Sequence, residues 1–405
     1  MEPRTPRQLY LVSLLAWLSV FVPFLGRALI QQHPSVPSGR IASFFLLAAS
    51  IALGFRSGAS FRSHLSVKAL AAIVWVVAAS CRFVFDSEGG SFGPVGTQVI
   101  LFAIQGAICS WWLLSLGSHS FAALGGSLTI CSIVAWTTLI RNQAIYLGTE
   151  WSDAATYRDV QIATPINLAL LLGMCSAWWL TLLPKRAVPV ALVLFLSAYG
   201  SAVCLQRWIV FAGPILILLC ARKQPRTLLG ASVLVAGVIG AFVVFAETLR
   251  LQNFFEYLDD FREERSFMYQ RIDLLRASIT EYLAMPVFGL GLDRWEEGYY
   301  PHNFVVQSLT DLGLLAGMSA LVMFFGCFFA LWSGASRGPH RKPIAAVAFM
   351  AWLHCMKAGD LTLVSLLLPL TLMSDATTRC ADGVVSAAKT RSLLRVKDDK
   401  TLPTA

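Results

Sequence analysis

The sequence predicts an all-α fold, a polytopic membrane helical bundle with about 12 transmembrane helices and a large periplasmic loop containing amphipathic helices. Three observations predict it. Hydrophobic residues make up 56% of the chain and charged residues only 14%, far from the soluble norm. Apolar windows long enough to cross a bilayer recur along almost the whole length. Basic residues collect in every second connection, as cytoplasmic loops of membrane proteins do.

The windows lie at roughly 9–26, 41–55, 67–85, 95–117, 119–140, 164–183, 187–204, 207–221, 226–246, 304–332, 343–357 and 361–375. The shorter ones extend into flanking sequence or are re-entrant. The first follows Arg4 and Arg7 and leads to Gly26-Arg27 without a small-residue cleavage pattern, so it is expected to be an anchor rather than a removable signal.

With both termini inside, the inner connections hold Arg4/Arg7, Arg56/Arg62/Lys68, Lys185/Arg186, Arg222/Lys223/Arg226, Arg337/Arg341/Lys342 and the tail from Arg379 to Lys400. The opposite set holds Asp86/Glu88, Glu150/Asp153/Asp159 and the acid-rich stretch 247–302. The net charge of +9 is therefore an orientation signal and does not call for nucleic acid as a partner. Residues 1–378 read as one bundle, including the outward 247–302 loop, and 379–405 as a mobile polar cytoplasmic tail. No repeat at a fixed period is visible. The nine Cys show no C-x-x-C pair and no Cys/His ligand spacing, so neither a disulfide framework nor a zinc site is expected.

The large loop has its own order. Met268, Ile272, Leu275, Ile279, Tyr282 and Leu283 recur at steps of three and four, the pattern of a helix with one apolar stripe. Such a helix would lie along the membrane interface or fold back onto the bundle, with Pro286 ending it. Gly289 and Gly291 then permit a tight turn back toward the membrane.

Candidate chemistry gathers around this loop. His302 stands directly ahead of an apolar helical run, and a neutral imidazole there can accept a proton; Asn303 beside it can orient a sugar or phosphate. The plainer reading makes Asn303 a helix N-cap and His302 an interface residue. Arg207 lies between two apolar runs, where an arginine either meets an anion or snorkels to headgroups. Arg271 can grip two diphosphate oxygens with its planar fork, or join a solvated ion pair, a choice shared by Arg265, Arg276 and Arg294. Asp259/Asp260, Glu263/Glu264, Asp293 and Glu296/Glu297 offer a rival set of bases or metal ligands, or a solvated surface. There is no Walker-type loop, G-x-S-x-G or H-E-x-x-H motif.

Taken together, Arg207 at a short helix junction, Arg271 to Leu275 as an R-x3-L element, Pro286 with Phe288-Gly289-Leu290-Gly291, and His302-Asn303 resemble the O-antigen ligase and polymerase group of integral membrane glycosyltransferases, the Wzy C-terminal family. The ligase pattern H-[NSQ]-x9-G-x-x-G is met by His302, Asn303 and Gly313, while Ala316 holds the last Gly position and Gly317 follows one residue late. The resemblance covers roughly 187–320. It implies that His302 activates an acceptor hydroxyl and that Arg207 and Arg271 bind the diphosphate of an undecaprenyl-linked glycan, with Asn303, Arg276 and Asp293 in support. It further implies a lipid A-core acceptor, no cofactor and no metal, and an active site on the periplasmic face of a bacterial inner membrane. A polymerase joining lipid-linked repeat units is the nearest alternative; a lipid-linked glycan transporter is a more distant one.

Overall fold

The computed structural model describes residues 6–29, 38–56, 66–87, 94–141, 165–182, 267–292, 303–333, 341–358 and 361–374. Among them the regular elements are helices, with no strand. In chain order they are α1 (Pro6–Leu29), α2 (Ser38–Arg56), α3 (Val67–Ser87), α4 (Pro94–Leu116), α5 (Ser118–Arg141), α6 (Pro165–Leu182), α7 (Phe267–Ala284), α8 (Phe304–Leu312), α9 (Leu314–Ser333), α10 (Arg341–Ala358) and α11 (Leu361–Ser374). The last opens with a 3₁₀ turn, Leu361–Leu363.

Among the described residues, five segments are long and apolar enough to cross a membrane: Pro6–Leu25, Val67–Asp86, Gly96–Leu116, Ser118–Arg141 and Leu314–Trp332. Windows 41–55, 164–183, 343–357 and 361–375 form shorter apolar helices, and windows 187–204, 207–221 and 226–246 lie outside the described residues. One expectation fails. The apolar run 304–332 is two helices, α8 and α9, broken at Gly313.

Helix α1 packs on α2 and α5, α3 on α9, and α6 on α5 and α10. Buried tryptophans fasten the crossings of α1 with α5, α2 with α4 and α10 with α11, because an indole is mostly apolar yet must satisfy one N–H. Trp17 donates to the Ser120 carbonyl at 2.8 Å, Trp112 to Ser50 Oγ at 2.8 Å, and Trp352 to Thr371 Oγ1 at 3.0 Å. Hydrogen bonds of this kind join helices where packed apolar surface alone gives no preference for protein over lipid. Near one end of the bundle, buried Lys68 of α3 lays its stem across Gly326 of α9 and donates to Ser374 Oγ of α11 at 3.0 Å.

The break at Gly313 is a reversal of the chain. In a continuous helix, residues eight apart are separated by about 12 Å; here a Cβ on Gly317 would stand 3.1 Å from Leu309 Cα. Phe304 of α8 and Phe324 of α9 both contact the Trp352 ring, at 5.5 and 6.0 Å. Helix α8 therefore folds back along α9, and its first residue lies beside the middle of α9. A helix of nine residues is too short to cross a bilayer.

Candidate functional site

The half-helix α8 is built from its ends. At its N-terminus Asn303 is extended, with φ −142° and ψ 113°, and its Oδ1 accepts from the N–H groups of Val305 and Val306 at 3.0 and 3.1 Å. A cap of this type is worth about 1 kcal/mol. The same side chain donates through Nδ2 to the Met356 carbonyl of α10 at 2.9 Å. Asn303 is thus an N-cap, the plainer of the two expectations for it, and also a link between two helices.

At its C-terminus α8 stops because Gly313 adopts φ +87°, a region costly for any residue with a Cβ. A Cβ there would also collide with the Val287 carbonyl oxygen. The freed carbonyls of α8 are bonded by the 286–292 turn, which follows the end of α7. Leu290 N–H donates to Thr310 O at 2.7 Å and Gly291 N–H to Asp311 O at 3.1 Å, while Leu314 N–H donates to Pro286 O at 2.8 Å. Gly289, with φ +71°, is required by the same crossing, since a Cβ on it would lie 2.5 Å from the Asp311 carbonyl.

Helix α3 clamps the turn from the side. Arg82 Nη2 pairs with Asp86 Oδ1 at 2.7 Å, Arg82 Nη1 donates to Gly289 O at 3.3 Å, and Asp86 Oδ2 accepts the Leu292 N–H at 3.0 Å. The pair is mostly buried, with 20% and 23% of the side chains exposed. A charge pair that also satisfies backbone groups holds its geometry better than a surface pair.

Polar groups that apolar periodicity gives no reason to expect line α8. Gln307, Ser308, Thr310 and Asp311 are all buried. Trp75 of α3 donates to Ser308 Oγ at 3.0 Å and stacks on Phe304 at 5.5 Å, while Thr310 Oγ1 donates to Asp311 Oδ1 at 3.0 Å. Gln307 Oε1 has no hydrogen-bond donor among the described residues, so it retains acceptor capacity one turn beyond Asn303. Asp311 is the only Asp, Glu, His, Lys or Arg in the 304–332 run, and this isolation in sequence was the available signal.

Depth distinguishes this site from a surface loop. Asn303 meets α10 at Met356, two residues before the helix ends, and α11 begins at Leu361. A Cβ on Gly106, near the midpoint of α4, would stand 3.0 Å from the Ser365 Cα and 3.1 Å from Val364 O. The start of α8, the end of α10 and the start of α11 therefore meet at mid-height in the bundle. Because the chain reverses at Gly313, Asn303 at the start of α8 is drawn inward to this level.

Of the other expected site residues, His302, Arg207 and Asp293 lie outside the described residues, as do Arg265, Arg294 and the acidic pairs 259/260, 263/264 and 296/297. Arg271 belongs to α7, seven residues before the buried Ser278, and α7 packs on α8. Arg276 is exposed and pairs loosely with Asp273 at 3.8 Å, as the solvated reading expected. Among the described residues no three His, Cys, Asp or Glu side chains come together as metal ligands.

Fold and site define an all-helical protein whose long apolar helices can cross a membrane and whose polar half-helix is folded back inside the bundle. Comparison with protein-family models, with curated proteins and with solved structures finds no match for the chain.

Proposed function

We propose that the chain is an O-antigen ligase-like glycosyltransferase of about twelve membrane spans, transferring a glycan from undecaprenyl diphosphate to a lipid A-core sugar hydroxyl. In this reading it lies in the bacterial inner membrane with both termini cytoplasmic, and 247–302 is a periplasmic loop. One observation carries the reading beyond the resemblance. The residue directly after His302 starts a half-helix inside the bundle, and the helix bearing Arg271 is packed on that half-helix.

The chemistry asks for a base and for cations. His302 takes the proton of the acceptor hydroxyl as its oxygen attacks the anomeric carbon, and the lipid diphosphate departs from the opposite face, inverting that carbon. Arg207 and Arg271 neutralise the charge that collects on the leaving diphosphate. Gln307 Oε1, one turn into α8, supplies an acceptor for a sugar hydroxyl.

The test is reconstitution with an undecaprenyl-diphosphate glycan and lipid A-core, comparing wild type with His302→Ala. Loss of transfer by at least about 100-fold, with donor binding retained, is expected for a base. Undiminished transfer would reduce His302 to an interface residue. Extension of one lipid-linked repeat unit by another, without lipid A-core, would move the assignment to the polymerase.

The half-helix also favours a second reading, a lipid-linked glycan transporter, since transporters present helix ends near the middle of the bundle. Donor movement across vesicles without bond cleavage would select it.

A further inference from the structure

Helix α7 has three sides where an amphipathic helix needs two. Ser278 is fully buried, with Leu274 and Tyr282 half-buried around it, and α7 packs on α8. Asp273, Ala277 and Thr280 are exposed and form a water-facing side. Ile279 and Leu283 are exposed as well, at 49% and 68%, and stand about 100° or more around the axis from Ser278. An apolar stripe turned away from the protein-facing side does not serve the core.

The stripe continues beyond the helix. Met285, Val287 and Phe288 are exposed, Phe288 at 69%. The Leu314–Pro286 hydrogen bond sets this stretch beside the start of α9. There Leu315, Met318, Val322, Phe325 and Phe329 follow at alternating steps of three and four, all exposed. Helix α9 is long and apolar enough to cross a membrane, so its uncovered stripe is the surface that meets acyl chains. The patch on α7 and its turn is continuous with that surface, and Arg82 and Asp86 hold the turn at the end of α3.

We propose that the apolar edge from Ile279 to Phe288 is seated in the acyl region of the leaflet bordering this end of the bundle, its partner being lipid rather than protein. The inference rests on the membrane character of the helices and not on the transferase chemistry. Seated in this way, α7 lies along the interface with Asp273 and Thr280 toward water, and the lipid anchors the turn that bonds the end of α8.

Nitroxide labelling of Phe288→Cys in the full chain, reconstituted in phosphatidylcholine and phosphatidylglycerol vesicles, tests this by collision with oxygen and with a water-soluble nickel chelate. Phe325→Cys is the lipid-facing reference and Thr280→Cys the water-facing one. The signal of labelled protein without the introduced cysteine is subtracted, because Cys81 is exposed. The oxygen-to-nickel ratio at 288 is expected within about twofold of that at 325 and at least about fivefold above that at 280. A ratio matching 280 would place the edge in water and overturn the proposal; exclusion of both reagents would show a protein cover, a second copy or another partner, and overturn it equally. Met285→Cys on the same edge repeats the measurement if substitution at 288 disturbs the turn. No enzymatic activity enters the readout, so the transferase reading and this one can fail separately.

Discussion

The bundle from α1 to α6 and the unit from α7 to α9 solve the same solvent problem in opposite ways. In the first, continuous helices satisfy most of their own backbone groups, the Ser19 carbonyl that Pro23 cannot bond being taken up by Ser43 and Gln105, and cross-helix bonds such as Trp17 to Ser120 and Trp112 to Ser50 fasten them. In the second, the chain stops and turns inside the bundle. The backbone groups freed at Gly313 are bonded by a turn 20 or more residues upstream, which is clamped in turn by a pair on α3. Irregular backbone is tolerated at such depth only where protein takes over its hydrogen bonds. The first region pays little for its shape, whereas the second is held by few groups at many points, the arrangement expected where residues must be positioned.

Two glycines test the contrast most severely. Gly313→Ala forces a Cβ into φ +87° and against the Val287 oxygen, and should cost about 2–4 kcal/mol. Gly117→Ala, at φ +62° between α4 and α5 with nothing within 4 Å, should cost only about 1 kcal/mol. Apparent melting of the purified protein in detergent, followed by retention of the monodisperse species, compares them. Equal shifts would mean that the reversal is no more tightly held than an open turn.

Asp86→Ala removes the acceptor of Leu292 N–H and leaves Arg82 without its partner, a loss of about 1–3 kcal/mol. The damage should be local. Limited proteolysis should cut within 286–292 several times faster while apparent melting of the whole protein moves by only a few degrees. Unchanged cleavage would sink the clamp.

Tryptophan-to-phenylalanine changes sharpen the comparison further. Trp112→Phe and Trp75→Phe each remove one buried hydrogen bond, to Ser50 and to Ser308, and each should cost about 1 kcal/mol. On the proposed function, only Trp75→Phe, which touches α8, should also lower glycan transfer in the reconstituted assay. The smallest effect belongs to Arg276→Ala, expected within about 0.5 kcal/mol of wild type and without change in transfer, since its pair with Asp273 is long and exposed.

Much of the second region could be read in the sequence as separate pieces. Asn303 ahead of Phe304 is a capping residue before an apolar run, and it caps. Pro286 marks the end of α7, which closes at Ala284, and Gly289 and Gly291 take the positive φ values that a tight turn asks for. What could not be read was how the pieces meet. Apolar periodicity passes straight through Gly313, because Leu312 and Leu314 are equally apolar on either side of it, so 304–332 looks like one span. Arg82 and Asp86 are ordinary end-of-helix charges until Gly289 and Leu292 are brought beside them from about 200 residues away.

By itself, then, the sequence determined that this protein is helical and apolar enough for a membrane, because length, composition and the three-to-four spacing of apolar side chains are local properties. It also determined where helices can begin and end, since caps, prolines and glycines act on their own neighbours. Only the tertiary structure decided that α8 turns back beside α9, that Ser278 is buried while Ile279 and Leu283 are exposed, and that Asn303 bonds Met356 at mid-height. Those choices rest on backbone groups finding partners far along the chain, and a hydrogen bond between distant residues leaves no periodic trace in the sequence.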